Sequence, residues 1–183
     1  MPPRTEAART EAARALTFFF YGTLCDDDVR AAVIGRAIAV APAVLAAYEA
    51  VPAERGRFPI LLFQRGLEAA GVLCAGVGLD EAARLGLFEH EGRDYAARQL
   101  SVRDGAGAVQ RAWVFLPTAA LRRGPGRWDL AEWQRFAKRD FLVRTQRAMR
   151  MLEPKQLDPY LELWRGRGGA GGPATGRPGR YIS

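Results

Sequence analysis

The apolar positions of the chain fall into short, dense runs. Leu16-Thr17-Phe18-Phe19-Phe20-Tyr21 is an aromatic run ended by Gly22, and neighbouring aromatic side chains on a strand are all buried only when both of its faces are covered. The run predicts a first strand buried on both faces. Asp26 can cap a short helix over roughly 27–34, with acidic residues at the positive end of the helix dipole and Gly35 placed to stop it. Apolar runs bounded by Gly, Pro or charge predict further strands at 43–51, 58–63, 71–77, 98–103 and 109–116. Between the last two, Asp104-Gly105-Ala106-Gly107 is a hairpin signal.

Two segments have helical spacing. Asp80 is a candidate cap for a helix running to Glu91, with Gly92 as its left-handed terminator. After Pro125, the residues Leu130, Trp133, Ala137 and Phe141 recur every three or four positions, marking the apolar face of a longer helix with Arg135 and Arg139 facing away. Trp128 and Trp133 are read as core packing. Strands dominate the middle and helices surround them, without regular strand and helix alternation. The expected fold is α+β, a small mixed β-barrel of about six strands with flanking helices.

At 183 residues and 20.1 kDa, with 49% hydrophobic and 26% charged residues, the composition is that of one globular domain. The two ends differ from the rest. Thr5-Glu6-Ala7-Ala8-Arg9 is repeated as Thr10-Glu11-Ala12-Ala13-Arg14 with no large apolar residue to dock it, so 1–15 is expected to be a flexible extension. From Arg165 the chain is rich in Gly, Pro and Arg, and 165–183 is expected to be a disordered tail, leaving 16–164 as the domain.

Cys25, Cys74 and the single histidine, His90, lack metal-ligand spacing; no metal and no cofactor are expected. The charged start does not read as a secretory signal. The longest nearly uncharged stretch, 31–47, is broken by Arg36 and Pro42. A cytoplasmic protein without membrane association is the expectation.

The net charge of +7 is uneven: residues 1–120 hold 13 Lys/Arg against 14 Asp/Glu, and residues 121–183 hold 14 against 6. Such a basic C-terminal third, with Arg165-Gly166-Arg167-Gly168-Gly169, is an alternative pointer to nucleic acid. Against it, 25 of the 27 basic residues are arginine scattered through an Ala- and Gly-rich chain, as a GC-rich genome produces.

Two places can carry chemistry. Tyr21-Gly22-Thr23-Leu24 joins a buried strand to a helix start, where free backbone N–H groups and a glycine suit an oxyanion or a carboxylate. Taken alone it is equally an ordinary turn, and the following Asp26, Asp27 and Asp28 repel anions. In Glu91-Gly92-Arg93-Asp94-Tyr95, a carboxylate at the end of a helix faces the negative dipole end, which raises its pKa if it is buried. A solvated glutamate before a glycine cap is the plainer reading. A Cys25–His90 pair is a third arrangement, with a small buried residue and a surface histidine as the plainer one.

Together, Phe20-Tyr21-Gly22-Thr23-Leu24, Phe58-Pro59-Ile60-Leu61, Gly71-Val72-Leu73 and Phe88-Glu89-His90-Glu91-Gly92-Arg93-Asp94-Tyr95 resemble, in order and spacing over about 17–116, the gamma-glutamylcyclotransferase-like family. The resemblance implies a small mixed barrel with a substrate cavity at its mouth, and release of 5-oxoproline from a γ-glutamyl peptide or γ-glutamylamine without metal or cofactor, as in glutathione metabolism. It carries the catalytic glutamate to Glu91, and substrate binding to Tyr21, Gly22, Thr23, Leu24 and Tyr95. Glu89 is the competing carboxylate; Glu91 keeps the four-residue spacing to Tyr95 and is preferred. A non-catalytic metabolite-binding or interaction module of the same fold is the alternative function. The leaving amine and the oligomeric state are not encoded legibly.

Overall fold

The computed structural model describes residues 15–168. Residues 1–14 and 169–183, which hold nearly all of the expected extension and most of the expected tail, lie outside that range. In chain order the elements are β1 (Leu16–Phe20), a 3-10 turn (Thr23–Cys25), α1 (Asp27–Ile34), β2 (Ala41–Pro52), β3 (Pro59–Val77), α2 (Leu79–Phe88), β4 (Tyr95–Asp104) and β5 (Val109–Pro117). Then follow α3 (Leu130–Phe136), α4 (Lys138–Arg150), a second 3-10 turn (Pro154–Gln156) and α5 (Asp158–Gly168).

The strands close into a barrel in the order β1-β3-β2-β4-β5. Parallel pairing of β1 with β5 at Phe18 and Trp113 closes it, and the other neighbours run antiparallel. The expected mixed barrel is thus found with five strands, because the segments predicted at 58–63 and 71–77 are one long strand, β3. A bulge separates them: the β2 partner shifts from Glu68 opposite Ala46 to Phe63 opposite Tyr48. An interruption of this kind in the apolar pattern reads as a turn in sequence, yet a bulged strand produces it too.

The aromatic run behaves as its composition requires. Phe19 and Tyr21, the latter just past the end of β1, enter a cluster otherwise made of strand residues, the barrel interior, with Leu45, Leu73, Val102 and Val114. Phe18 and Phe20 face the opposite way, into the layer between barrel and helices, with Val29, Ile60, Leu85, Trp133 and Trp164. Phe18, Phe19 and Phe20 are all essentially buried, each contributing about 2–3 kcal/mol of hydrophobic stabilisation. Close approach of β3 to β1 needs Gly71: a Cβ there would lie 2.1 Å from the Phe20 carbonyl oxygen.

Helix starts follow the sequence better than helix ends. Asp26 caps α1 by accepting from the Asp28 and Val29 N–H groups, each at 3.1 Å, and Gly35 closes it in the left-handed conformation. The helix predicted to run from Asp80 to Glu91 instead begins at Leu79 and stops at Phe88. The single helix predicted after 125 is two, α3 and α4, broken at Ala137, whose backbone leaves the helical range. The expected domain boundary at 164 falls inside α5, which continues through Arg165 and Arg167. Trp164 anchors it, fully buried against Phe18, Trp113 and Phe115. Among the described residues no helix is long and apolar enough to cross a membrane.

Candidate active site

A cavity of about 670 Å³ opens where the end of β1, the connection from β2 to β3, the end of α2 and the roof helix α4 meet. Tyr21, Gly22, Thr23, Leu24 and Tyr95, the expected substrate-binding residues, all line it. Glu91 does not. The carboxylates on the wall are those of Glu89 and of Asp94, the latter engaged by Arg93 and His90.

The turn after β1 is held from both sides. Cys25 N–H donates to the Gly22 carbonyl (2.9 Å) and Asp26 N–H to that of Thr23 (3.1 Å). The buried guanidinium of Arg30 donates to the carbonyls of Leu24 (3.0 Å) and Cys25 (3.2 Å) and pairs with Asp27. These bonds use the carbonyls of the turn. The N–H groups of Gly22, Thr23 and Leu24 have no partner among the described residues, which leaves them available to an anionic or carbonyl oxygen. Residue 22 must be glycine here, since a Cβ would meet Pro59 Cγ at 2.7 Å.

The three aspartates beside the turn are each paired with a cation, two cations serving three carboxylates, which reduces their repulsion of an anionic ligand. Asp26, fully buried, accepts from Gln134 Nε2 (2.8 Å) and from Lys138 Nζ (2.7 Å). Burial works against its charge, but Lys138, Gln134 and the helix N–H groups prevail and hold its pKa below the usual carboxylate value. Asp28 shares Lys138 (2.7 Å), and Asp27 has Arg30. Asp26 thereby ties the turn to α3 through Gln134 and to α4 through Lys138. Phe141 of α4 meets Phe88 of α2 edge-on at 6.2 Å, and both line the cavity. The long C-terminal helical segment is therefore a wall of the cavity.

The exchange of Glu91 for Glu89 has a backbone cause. Glu89 is the C-cap of α2, and His90, not Gly92, takes the left-handed conformation that ends it, at φ 48°. His90 N–H donates to the Leu87 carbonyl (3.1 Å) and Glu91 N–H to that of Gly86 (2.8 Å), the paired bonds of a Schellman terminator. A non-glycine residue there costs about 1 kcal/mol. The His90 ring, bonded to Asp94 at 2.9 Å, helps to hold the turn. The chain then reverses, and Glu91 points to the other side of α2.

The two carboxylates have opposite surroundings. Glu91, 2% exposed, accepts from Ala97 N–H (3.1 Å) and pairs with Arg167 of α5 at 2.5 Å. Arg167 lies over the rings of Trp113 and Trp164. Glu89 makes no hydrogen bond or ion pair among the described residues, is half-buried and lines the cavity. Burial, followed by the nearby charge of Glu91, pushes its pKa up from 4.5 to about 8. The negative end of α2 acts in the same sense.

The tyrosines frame this carboxyl group. Tyr21 donates its hydroxyl to the Phe115 carbonyl (2.8 Å) and Tyr95 to that of Pro59 (3.0 Å). Burial raises both pKa values, and the charge of Glu89 adds to each, so both stay neutral. The Cys25–His90 arrangement is not formed. Cys25 donates to the Phe20 carbonyl (3.2 Å) and burial pushes its thiol up to about 12, while His90 is exposed and engaged by Asp94 and Arg93. Among the described residues, no three His, Cys, Asp or Glu side chains cluster as a metal site requires.

The family model described as gamma-glutamyl cyclotransferase, AIG2-like, matches residues 18–135. The chain belongs to this family. Its region of match contains the turn, Pro59, Glu89 and Tyr95, and ends before α4. Among solved structures, an Arabidopsis thaliana protein is 21% identical with a TM-score of 0.56, over 75% of this chain and 92% of that one. A second Arabidopsis thaliana protein is 23% identical with a TM-score of 0.56, over 74% and 81%. A gamma-glutamyl cyclotransferase is 12% identical with a TM-score of 0.55, over 81% and 99%. At such identities the likeness concerns the fold. No curated protein sequence matches the chain.

Sequence reasoning missed the α4 wall, including Phe141, Arg144 and Met149, and ranked Glu89 second. A signal for Glu89 was present: it stands four residues after Leu85 and seven after Ala82, both fully buried, and so on the inward face of α2.

Proposed function

We propose that the protein is a cyclotransferase releasing 5-oxoproline from a γ-glutamyl compound, with Glu89 as its general acid/base. The observation that carries the proposal is an unpaired, half-buried carboxyl group opening onto the same cavity as the free N–H groups of the Gly22 turn. The substrate's glutamyl head supplies its own nucleophile, so the protein has to move one proton and stabilise one developing charge.

Glu89 as carboxylate takes a proton from the substrate's α-ammonium. The freed amine attacks the γ-carbonyl carbon, closing a five-membered ring and placing negative charge on the carbonyl oxygen. N–H groups of Gly22, Thr23 and Leu24 bond that oxygen. Glu89 then returns the proton to the departing nitrogen as its bond to carbon breaks, and the ring nitrogen, which still carries two hydrogens, gives its extra proton to the liberated amine, so the products are 5-oxoproline and an ammonium ion. A carboxyl pKa raised to about 8 brings Glu89 nearer to the basicity of an α-amine than an ordinary carboxylate is, which lowers the cost of proton transfer. Tyr21 and Tyr95, neutral and fixed to backbone carbonyls, shape the pocket. Holding the glutamyl chain folded contributes through orientation.

The test is mass-spectrometric detection of 5-oxoproline from a panel of γ-glutamyl peptides and γ-glutamylamines, with wild type and Glu89→Gln compared. Release by the wild type and its loss in the variant are expected. Undiminished release by Glu89→Gln would remove the residue from the mechanism. Ligand binding without release by any member of the panel would leave the non-catalytic alternative.

A further inference from the structure

The cavity has two chemically different ends. Its inner end holds the turn and Glu89, within the segment matched by the family model; much of its outer wall is α4, beyond that match. A volume of about 670 Å³ is far more than a glutamyl head fills and lies in the range of sites for larger ligands. Most of the space is therefore left to the amine that departs.

That outer space is apolar with a cationic edge. Phe58, Phe88, Phe141 and Met149 supply the walls. Arg57, from the connection between β2 and β3, and Arg144, from α4, are both exposed and both line the cavity, which puts them at its mouth. Neither forms an ion pair or hydrogen bond among the described residues, whereas Asp27, Asp28, Glu81 and Glu91 elsewhere each hold a cation. The acidic groups on the cavity do not cancel them. Asp94 is engaged by Arg93 (2.8 Å) and His90 (2.9 Å), and Glu89 lies deeper.

We propose that the leaving amine carries a carboxylate beside a large apolar side chain, with Arg57 and Arg144 taking the carboxylate at the mouth and the aromatic wall taking the side chain. This rests on the cyclotransferase reading and narrows it to γ-glutamyl amino acids or peptides with a bulky apolar residue after the glutamyl group. Cationic leaving groups, such as polyamines, are repelled by the same two arginines. Guanidinium groups suit this role because they bond a carboxylate through paired N–H donors.

The experiment compares γ-glutamyl-phenylalanine, its C-terminal amide and γ-glutamyl-putrescine, following 5-oxoproline release by wild type, Arg57→Ala and Arg144→Ala. Binding of the first two to Glu89→Gln is measured in parallel by calorimetry. The wild type is expected to favour the acid over the amide by about tenfold or more in kcat/KM, with the putrescine derivative poorest, and each arginine variant to lose most of that preference through KM. Release without discrimination, or a preference for putrescine, overturns the assignment of the mouth and leaves the cyclotransferase reading standing. Carboxylate-dependent binding with no release from any substrate supports the mouth and refutes the chemistry. Equal binding with no release refutes both.

Discussion

Glu89 and Glu91 stand two residues apart on one short segment, yet they belong to regions of opposite character. One opens onto the cavity with nothing to bond; the other is sealed beneath α5 with Arg167 and the Ala97 N–H. Each also acts on the other, since the charge of Glu91 helps to raise the pKa of Glu89. Glu91 Oε2 is also buried without a hydrogen-bond partner, so the difference between the two carboxyl groups lies in access to the cavity and in a counter-charge, which Glu89 lacks and Glu91 has. A paired carboxylate holds structure together, whereas an unpaired one facing a cavity is free to exchange a proton.

Breaking the contrast at the cavity has the largest expected effect. Glu89→Gln should lower kcat for 5-oxoproline release by about 10²–10⁴-fold, with a melting temperature no lower than that of the wild type. Substitution on the other side should give the reverse pattern. Glu91→Gln leaves Arg167 without its counter-charge and should destabilise the fold by roughly 3 kcal/mol in chemical denaturation, while the folded fraction keeps most of its turnover. If Glu91→Gln abolished release at full stability, the roles assigned to the two residues would be exchanged.

The dependence on pH sharpens the comparison further. Between pH 4.5 and about 8 the folded protein keeps a proton on Glu89 that the unfolded chain has released. Folding stability therefore falls as pH rises through that window, and kcat/KM rises over the same range as the base form appears. Thermal melts and pH–rate profiles should run in opposite directions in the wild type, and Glu89→Gln should flatten this contribution to the melts. The smallest effect is expected at Cys25, whose thiol is protonated and bonded to the Phe20 carbonyl. Cys25→Ala should leave turnover within about twofold and cost roughly 1 kcal/mol.

What was legible in the sequence follows from how local its causes are. The aromatic run, the Asp26 cap and the Gly35 stop each depend on neighbours in the chain, and all three are found where expected. The turn residues and Tyr95 were legible as an ordered pair of motifs. Glu91 was expected on the cavity and does not line it, because His90 and not Gly92 ends the helix, and nothing local announces a left-handed histidine held by Asp94. The fused strand β3 and the break at Ala137 were hidden for a related reason, as a bulge and a kink answer to tertiary packing. Arg57 and Arg144 are ordinary charged residues until the fold brings them to one opening.

The bond from Lys138 to Asp26 joins two parts of the molecule that a protein engineer would otherwise treat separately. Because it fastens α4 to the same carboxylate that organises the turn, side chains farther along the helix, at Arg144, Ala148 and Met149, can be exchanged without loosening the fastening itself. Reshaping this cavity should begin with that stretch of helix, leaving the strand ends untouched.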